Sequence, residues 1–321
     1  MKKYVGCDMG GTNLRAAIVD VENGAILHQL SIPTMARDGY QAVMNRMAGF
    51  LLHLIESAGM IKDEIGGIGI GVPGVLDMEK GETLFLHNLP GAWPHIPLQN
   101  TIESLTGLPV ALLNDVRAIT IGEWKFGAGR GLDTIAVFAI GTGIGGGLVI
   151  NGQLHFGIGG AAEELGHTTI DYNGIKCGCG SQGCLEAYAS GPAIATMGVK
   201  AVAQGLTTKI GEMSGYDLNQ ITPELIAKAA YAGDEIANDI YEEAGFYIGI
   251  SAANLCVSIG PRRIIITGGV SRAGELLLDP IRRTLLARVH VMPVAEVEVV
   301  PSQLGDNAGV IGAACWIAKT L

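Results

Sequence analysis

The sequence predicts an α/β protein built as two related domains, and three observations carry that expectation. The chain has 321 residues, of which 48% are apolar and only 16% charged. That is material for more than one large core and too apolar for disorder. Two segments read alike: KKYVGCDMGGTNLRAAIVDVENGAILHQ (residues 2–29) and DTIAVFAIGTGIGGGLVINGQLHFG (residues 133–157). After each comes the same alternation of helical and strand-like runs.

The repeat can be justified element by element. Each segment holds an apolar strand, a glycine-rich turn, a second apolar strand, an Asn-Gly hairpin signal (Asn23-Gly24 and Asn151-Gly152) and a third strand. After the first segment, helical spacing covers 41–57. A buried strand IGIGVPG (68–74), a helix over 98–106 and a strand PVALLN (109–114) leading into a helix complete the set. After the second segment come helices over 223–232 and 234–259, then a strand RIIITGG (263–269). A helix over 274–289 and a strand VEVVP (297–301) leading into a helix close the chain. Thr222-Pro223-Glu224 provides an N-cap, a first-turn proline and an early acidic residue. The boundary is expected near residue 118. This gives an N-terminal domain of residues 1–118, to which the last helix (307–321) returns, and a C-terminal domain of residues 119–306. Two such domains are expected to face one another with their glycine turns on one side, where a phosphate chain would lie.

Charge and cysteine usage exclude several classes. A net charge of −10 with no basic run argues against a nucleic-acid partner. The N-terminus, MKKYVGCDMGGT, lacks the apolar region of a signal peptide. The longest uncharged helical stretch, residues 245–260, is 16 residues long and too short to span a bilayer, so no membrane partner is expected. Six unevenly spaced cysteines do not form a disulfide framework, and the cytoplasm is the expected compartment.

The glycine turns are the first candidates for chemistry. GTGIGGG (141–147) satisfies G-x-G-x-x-G, but a strand (LVING) rather than a helix follows it, so a dinucleotide fingerprint is not expected. Asp8-Met9-Gly10-Gly11-Thr12 places a carboxylate at a strand end, followed by backbone N–H groups and a hydroxyl. Gly141-Thr142-Gly143 repeats the device. Backbone N–H nests bind phosphate oxygens, and a nearby carboxylate holds Mg2+ through water. The plainer alternative is a pair of tight hairpin turns; recurrence at matching positions favours phosphate. Gly268-Gly269, after RIIIT, lets backbone approach a flat group or simply turns a strand into a helix.

Asn114-Asp115 stands where a buried strand ends and a helix begins. Asp115 there serves equally as a helix N-cap or as a base accepting a substrate hydroxyl proton during phosphoryl transfer. Asn114 carries a donor and an acceptor suited to a neighbouring sugar hydroxyl. Farther along, His167, Cys177, Cys179 and Cys184 form a Cys3His set, with three cysteines packed into CGCGSQGC and glycines at 178, 180 and 183. Such a set suits a closed, structural Zn2+ site without an open position for catalysis. Independent thiols are the alternative. Fixing that loop would hold Glu164, His167 and Glu186, which are groups able to accept from and donate to sugar hydroxyls.

Taken together, D-x-G-G-T at 8–12, N-D at 114–115, G-T-G at 141–143, E-x-G-H at 164–167 and C-x-C-G-x-x-G-C-x-E at 177–186 resemble the ROK family of bacterial and archaeal sugar kinases and sugar-responsive repressors. The likeness extends to GDNAGVIGAA (305–314). It implies an actin-like ATPase (ribonuclease H-like) fold of two domains flanking a cleft, with a zinc-braced loop, and ATP-dependent phosphorylation of a hexose. It implies Asp115 as general base on the sugar 6-hydroxyl, with Asn114, Asp115, Glu164, His167 and Glu186 contacting the sugar. The 10–12 and 141–143 turns would hold ATP phosphates with Mg2+, Gly268-Gly269 would lie near the adenosine, and zinc would sit at His167, Cys177, Cys179 and Cys184. A homodimer or homotetramer is implied.

HNLPGAWPHIPL (87–98) and YASGPAI (188–194) resemble segments of glucose-preferring members, which favours glucose over other hexoses. One departure concerns Glu163, where the family pattern usually has glycine. It is expected to alter the loop's backbone or add charge near the sugar. The alternatives are a fructose, mannose, allose or N-acetylhexosamine kinase and a non-catalytic sugar-sensing repressor. Repressor members carry a helix-turn-helix before D-x-G-G-T, whereas seven residues precede Asp8 here. A chaperone-like ATPase would leave the cysteine-braced segment without a purpose.

Overall fold

The computed structural model describes residues 3–86, 89–160 and 162–321. The chain separates into two compact units: residues 1–131 with 154–162 and 303–321, and residues 132–153 with 163–302.

The first unit opens with β1 (Lys3–Met9), β2 (Asn13–Asp20) and β3 (Ala25–Pro33), followed by α1 (Tyr40–Ser57) and β4 (Ile65–Val72). A short antiparallel hairpin of β5 (Val75–Asp77) and β6 (Glu82–Phe85) comes next, then α2 (Leu98–Thr106), β7 (Val110–Asn114) and α3 (Asp115–Phe126). The sheet order is β3-β2-β1-β4-β7, antiparallel across β3-β2-β1 and parallel across β1-β4-β7. Alternation does what its period requires. Leu14, Ala16 and Ile18 of β2 enter the core beneath α1, while Ala17 and Val19 enter a second core on the opposite face. β4 is buried at every position, as a central parallel strand should be.

The second unit contains β8 (Ile135–Ile140), β9 (Ile144–Ile150) and β10 (Gln153–Leu154). These are followed by α4 (Glu186–Ala189), α5 (Gly191–Ala203), α6 (Lys209–Met213), α7 (Pro223–Tyr231) and α8 (Glu235–Ile259), then β11 (Arg263–Thr267), α9 (Glu275–Arg288) and β12 (Glu298–Pro301). Its sheet order, β10-β9-β8-β11-β12, repeats that of the first unit. β8 pairs antiparallel with β9 and parallel with β11, and β11 pairs parallel with β12. The internal repeat in the sequence is therefore a repeat of sheet topology. The final helix, α10 (Ala308–Thr320), belongs to the first unit.

Two features differ from the sequence reading. Residue 118 lies inside α3, which runs on to Phe126 because Ala118 and Ile121 pack into a core with Ala313. Residues 154–162 pack on the first unit: the Phe156 ring meets Trp316 at 5.6 Å between centroids, and Arg117 donates to the Ala162 carbonyl at 2.7 Å.

Candidate functional site

In the first unit, the C-terminal ends of three adjacent parallel strands carry the predicted residues. Asp8 pairs with Gly71, and Val72 pairs with Asn114, so Asp8, the end of β4 and Asn114-Asp115 share one edge of the sheet. Ligands of open α/β sheets bind at this edge. Gly71 lies directly beside Asp115: a Cβ there would meet the Asp115 Cα at an ordinary contact distance of 3.5 Å.

Asn114, rather than Asp115, caps α3. Its Oδ1 accepts from the N–H groups of Val116 (3.1 Å) and Arg117 (3.3 Å), and its amide donates to the Gly74 carbonyl at 3.1 Å. Asp115 thus becomes the first helical residue, half-buried, with Oδ1 accepting from the N–H of Val116 at 2.8 Å. The cap function that competed for Asp115 is performed by its neighbour, which leaves Asp115 at the positive end of a helix dipole that favours its anion.

The tip between β1 and β2 spends part of its backbone on itself. The Gly10 N–H donates to the Asn13 carbonyl at 2.9 Å, and Thr34 closes on the turn through its hydroxyl to the Gly10 carbonyl (2.6 Å) and its N–H to Thr12 (2.8 Å). Gly11 and Thr12 are exposed at the tip. Below them Asp8 is half-buried, and burial pushes its carboxyl above the ordinary range, with Arg15 pulling it down and Asp306 pushing it up. Arg15 donates to the Asp306 carbonyl at 2.9 Å and lies 3.6 Å from its carboxylate. A cation held near Asp8 would restore its anion, which fits a role toward Mg2+ through water. Arg15 and Asp306 escaped the sequence reading. Their meeting joins positions 291 residues apart, and no local spacing signals it.

In the second unit, the tip between β8 and β9 stands at the matching place in the sheet but closes over a shorter span than the first. The Gly141 N–H donates to the Gly143 carbonyl at 2.9 Å, and Thr142 is exposed. β9 follows as a strand, so the dinucleotide context is absent, as expected. Gly268, at φ 89°, lies over the end of β8: a Cβ there would fall 2.4 Å from the Ile140 carbonyl oxygen. Gly268 and Gly269 are exposed beside the 141–143 tip, which suits the approach of a flat group.

His167, Cys177, Cys179 and Cys184 converge, with one ligand atom from each lying within 4.8 Å of the others. Cys177 Sγ lies 3.7 Å from His167 Nδ1, and Cys179 Sγ lies 3.7 Å from Cys184 Sγ. A zinc ion with Zn–S bonds of about 2.3 Å sets tetrahedral ligands about 3.8 Å apart, so this donor set fits the ion. Burial pushes the Cys184 thiol up to about 12, whereas the Ser181 backbone N–H holds Cys179 below the usual thiol range. A dication at the centre favours both thiolates.

Gly180 (φ 94°) and Gly183 (φ 70°) make the wrap, the latter with no room for a Cβ beside the Asp171 carbonyl; Gly178 has an ordinary φ and open space. Because Nδ1 of His167 faces the thiols, Nε2 is the nitrogen left for a ligand hydroxyl. Glu164 is exposed immediately before the short helical turn 165–167, and Glu186 opens α4.

Two contacts that the sequence did not signal attach the cysteine segment to the 141–143 tip. Glu186 Oε2 accepts from the Ile144 N–H at 2.9 Å, and the Gly191 N–H donates to the Gly141 carbonyl at 2.8 Å. Glu163 adopts φ 74° and is 8% exposed, so the usual glycine at this position has a backbone reason. In the 87–98 segment, His87 and Asn88 lie outside the described residues. Trp93 is buried in the core beneath α1, edge-on to Tyr40 at 6.2 Å.

With the geometry in place, the likenesses to known proteins take on meaning. The ROK family model matches residues 4–320, and the chain belongs to that family. It is 35% identical over 318 residues to a glucokinase of Halalkalibacterium halodurans, covering 98% of this chain and 94% of the relative. It is also 31% identical to a xylose repressor of Bacillus subtilis, covering 96% of this chain and 75% of the repressor. A ROK family glucokinase of Streptomyces griseus, solved with glucose and AMPPNP, superposes with a TM-score of 0.83 at 34% identity and 99% coverage of both chains. Among the described residues, no helix is long and apolar enough to cross a membrane.

Proposed function

We propose that this protein is an ATP-dependent hexose kinase, with glucose as the favoured sugar and the 6-hydroxyl as acceptor. The observation that carries the reading is the placement of Asp115, a first-turn helical residue beside the capping Asn114, at the C-terminal edge of the parallel strands. Asn114 accepts from both Val116 and Arg117, so the helix start keeps a cap whatever the adjacent carboxylate does, and that carboxylate lies where ligands of such sheets bind. Full-length likeness to glucokinases, one of them solved with glucose and AMPPNP, supports the choice of reaction and sugar.

Asp115 accepts the hydroxyl proton as the oxygen attacks the γ-phosphorus and the phosphorus–oxygen bond to ADP breaks. Asn114, Glu164, His167 and Glu186 bind the sugar. Gly11, Thr12, Thr142 and Gly143 offer N–H and hydroxyl groups to the phosphates, Gly10 and Gly141 shape the two tips through their own turn hydrogen bonds, and Asp8 would hold, through water, the Mg2+ that accompanies ATP. Gly268 and Gly269 border the adenosine. Zinc, when bound by His167, Cys177, Cys179 and Cys184, supplies rigidity to the segment bearing Glu164 and Glu186. Each unit is read as an actin-like, ribonuclease H-like domain, on the strength of its sheet order. The quaternary form proposed is a homodimer or homotetramer.

The xylose repressors favour a second reading, a sugar sensor without turnover. ADP release from MgATP, measured with and without each of a panel of hexoses, separates the two. Release with glucose above all others is the expected result. Release with a different hexose keeps the mechanism and reassigns the sugar. Binding of a sugar with no sugar-dependent ADP would make the chain a sensor.

A further inference from the structure

The Glu186 carboxylate lies in the space that a side chain at Gly143 would need. A Cβ built on Gly143 would lie 2.4 Å from Glu186 Oε2, the oxygen that accepts from the Ile144 N–H at 2.9 Å. The other carboxylate oxygen, Oε1, makes no hydrogen bond among the described residues. At the opposite end of the same tip, the Gly191 N–H donates to the Gly141 carbonyl, and a Cβ on Gly191 would fall 2.8 Å from that oxygen. The tip and the start of α4–α5 are therefore joined at both ends: backbone closes the space at Gly191, and the movable carboxylate of Glu186 fills it at Gly143. All of these residues belong to the second unit.

We propose that Glu186 couples the two ligands: Oε2 holds the phosphate tip through Ile144, while Oε1 receives a sugar hydroxyl. The inference rests on the sugar-binding role given to Glu186 above and adds that the same carboxylate sets the conformation of residues 141–144. A sugar that draws on Oε1 fixes the carboxylate plane, and that plane fixes the Ile144 N–H and the tip. By linkage, nucleotide bound at the tip fixes Glu186 for the sugar to the same degree. Gly143 is then a positioning residue for the sugar although it lies on the phosphate tip.

The test is a double-mutant cycle on glucose binding by the full-length, zinc-loaded protein, read by calorimetry with and without AMPPNP. Gly143→Ala forces the carboxylate aside and is expected to weaken glucose binding about tenfold even without nucleotide, the scale of a lost hydrogen bond to a charged group. Glu186→Ala weakens it at least as much and also abolishes the tightening of glucose by AMPPNP. The double variant is expected to bind glucose no worse than Glu186→Ala alone, because removing the carboxylate removes the clash.

Factors that multiply in the double variant, or a Gly143→Ala protein that binds glucose within twofold of the parent, would overturn the coupling. If Gly143→Ala disturbs folding, Glu186→Asp gives a second reading. The shorter carboxylate cannot both bond Ile144 and reach the sugar, so the AMPPNP effect on glucose should fall; an unchanged effect counts against the proposal. Sugar-dependent ADP release by the parent with no coupling in the cycle rejects this inference alone. A parent that neither binds nor phosphorylates any hexose rejects the function on which it rests.

Discussion

Asp115 concentrates the residue-scale argument. The sequence left it suspended between helix cap and base, and the distinction turns on one residue: Asn114 accepts from Val116 and Arg117, so the cap exists without Asp115. Asp115→Ala is therefore expected to leave the fold intact and to lower kcat by at least ~10²-fold with a smaller change in the KM for sugar. Turnover near the parent's would remove Asp115 from the mechanism. The identity of the acidic and amide pair was legible because strand-to-helix junctions announce themselves. Which of the two does the capping was not, since both are good caps. Glu163 was legible only as a departure from a pattern; its φ of 74° supplies the physical content, an L-residue held where glycine is at ease.

At the scale of elements, two devices fix segments that have little core of their own. The first is the cysteine loop, where the four ligand atoms converge within 4.8 Å. Cys179→Ser is expected to lose the zinc to a chromophoric chelator within the dead time of mixing and to lower stability by roughly 2 kcal/mol or more. One zinc retained per chain in that variant would show that the ion sits elsewhere. Density of cysteine made this loop readable from sequence, although only Gly180 and Gly183 of its three glycines proved conformationally necessary.

The second device gave no sequence signal. Glu123 of α3 is fully buried and accepts from the N–H groups of Ala128 (2.8 Å), Gln303 (3.2 Å) and Leu304 (2.9 Å), tying the end of one helix to the turn that leads into α10. Glu123→Ala strands those donors and should cost about 3–5 kcal/mol in urea denaturation. A loss below about 1 kcal/mol would mean that water replaces the carboxylate. A glutamate on a helix reads as a surface residue, and only its 180-residue reach reveals the clasp.

The glycine content acquires its meaning at the scale of the whole chain. The 48 glycines read from sequence as turns and ligand approaches, and glycines 10, 11, 141, 143 and 268 do stand at turns. Others have a different use: they let α10 press against its neighbours. A Cβ on Gly6 would fall 1.7 Å from the Val310 carbonyl oxygen, one on Gly69 1.8 Å from that of Ala313, and one on Gly312 1.7 Å from that of Ala118. Gly69→Ala should therefore cost more than about 3 kcal/mol, since backbone must move to admit the methyl. Gly49→Ala, exposed in α1 with nothing within 4 Å of the added carbon, should stabilise by about 1 kcal/mol. Equal effects at the two sites would refute the packing account.

The succession of strands and main helices along the chain was legible at this scale because the repeat doubled every signal, whereas the order of strands within each sheet was not read. Nor were the helices α4, α5 and α6. Two are under six residues long, and α5 is an Ala- and Gly-rich run whose apolar period is weak. Transfer of a phosphoryl group to the sugar 6-hydroxyl, with Asp115 as base, is checked by quantifying glucose 6-phosphate formed from MgATP and glucose by the parent and by Asp115→Ala at equal zinc loading. Catalytic formation is expected from the parent, with a loss of at least ~10²-fold in the variant while glucose still binds. Absence of product from the parent, or equal rates in the two proteins, would contradict it.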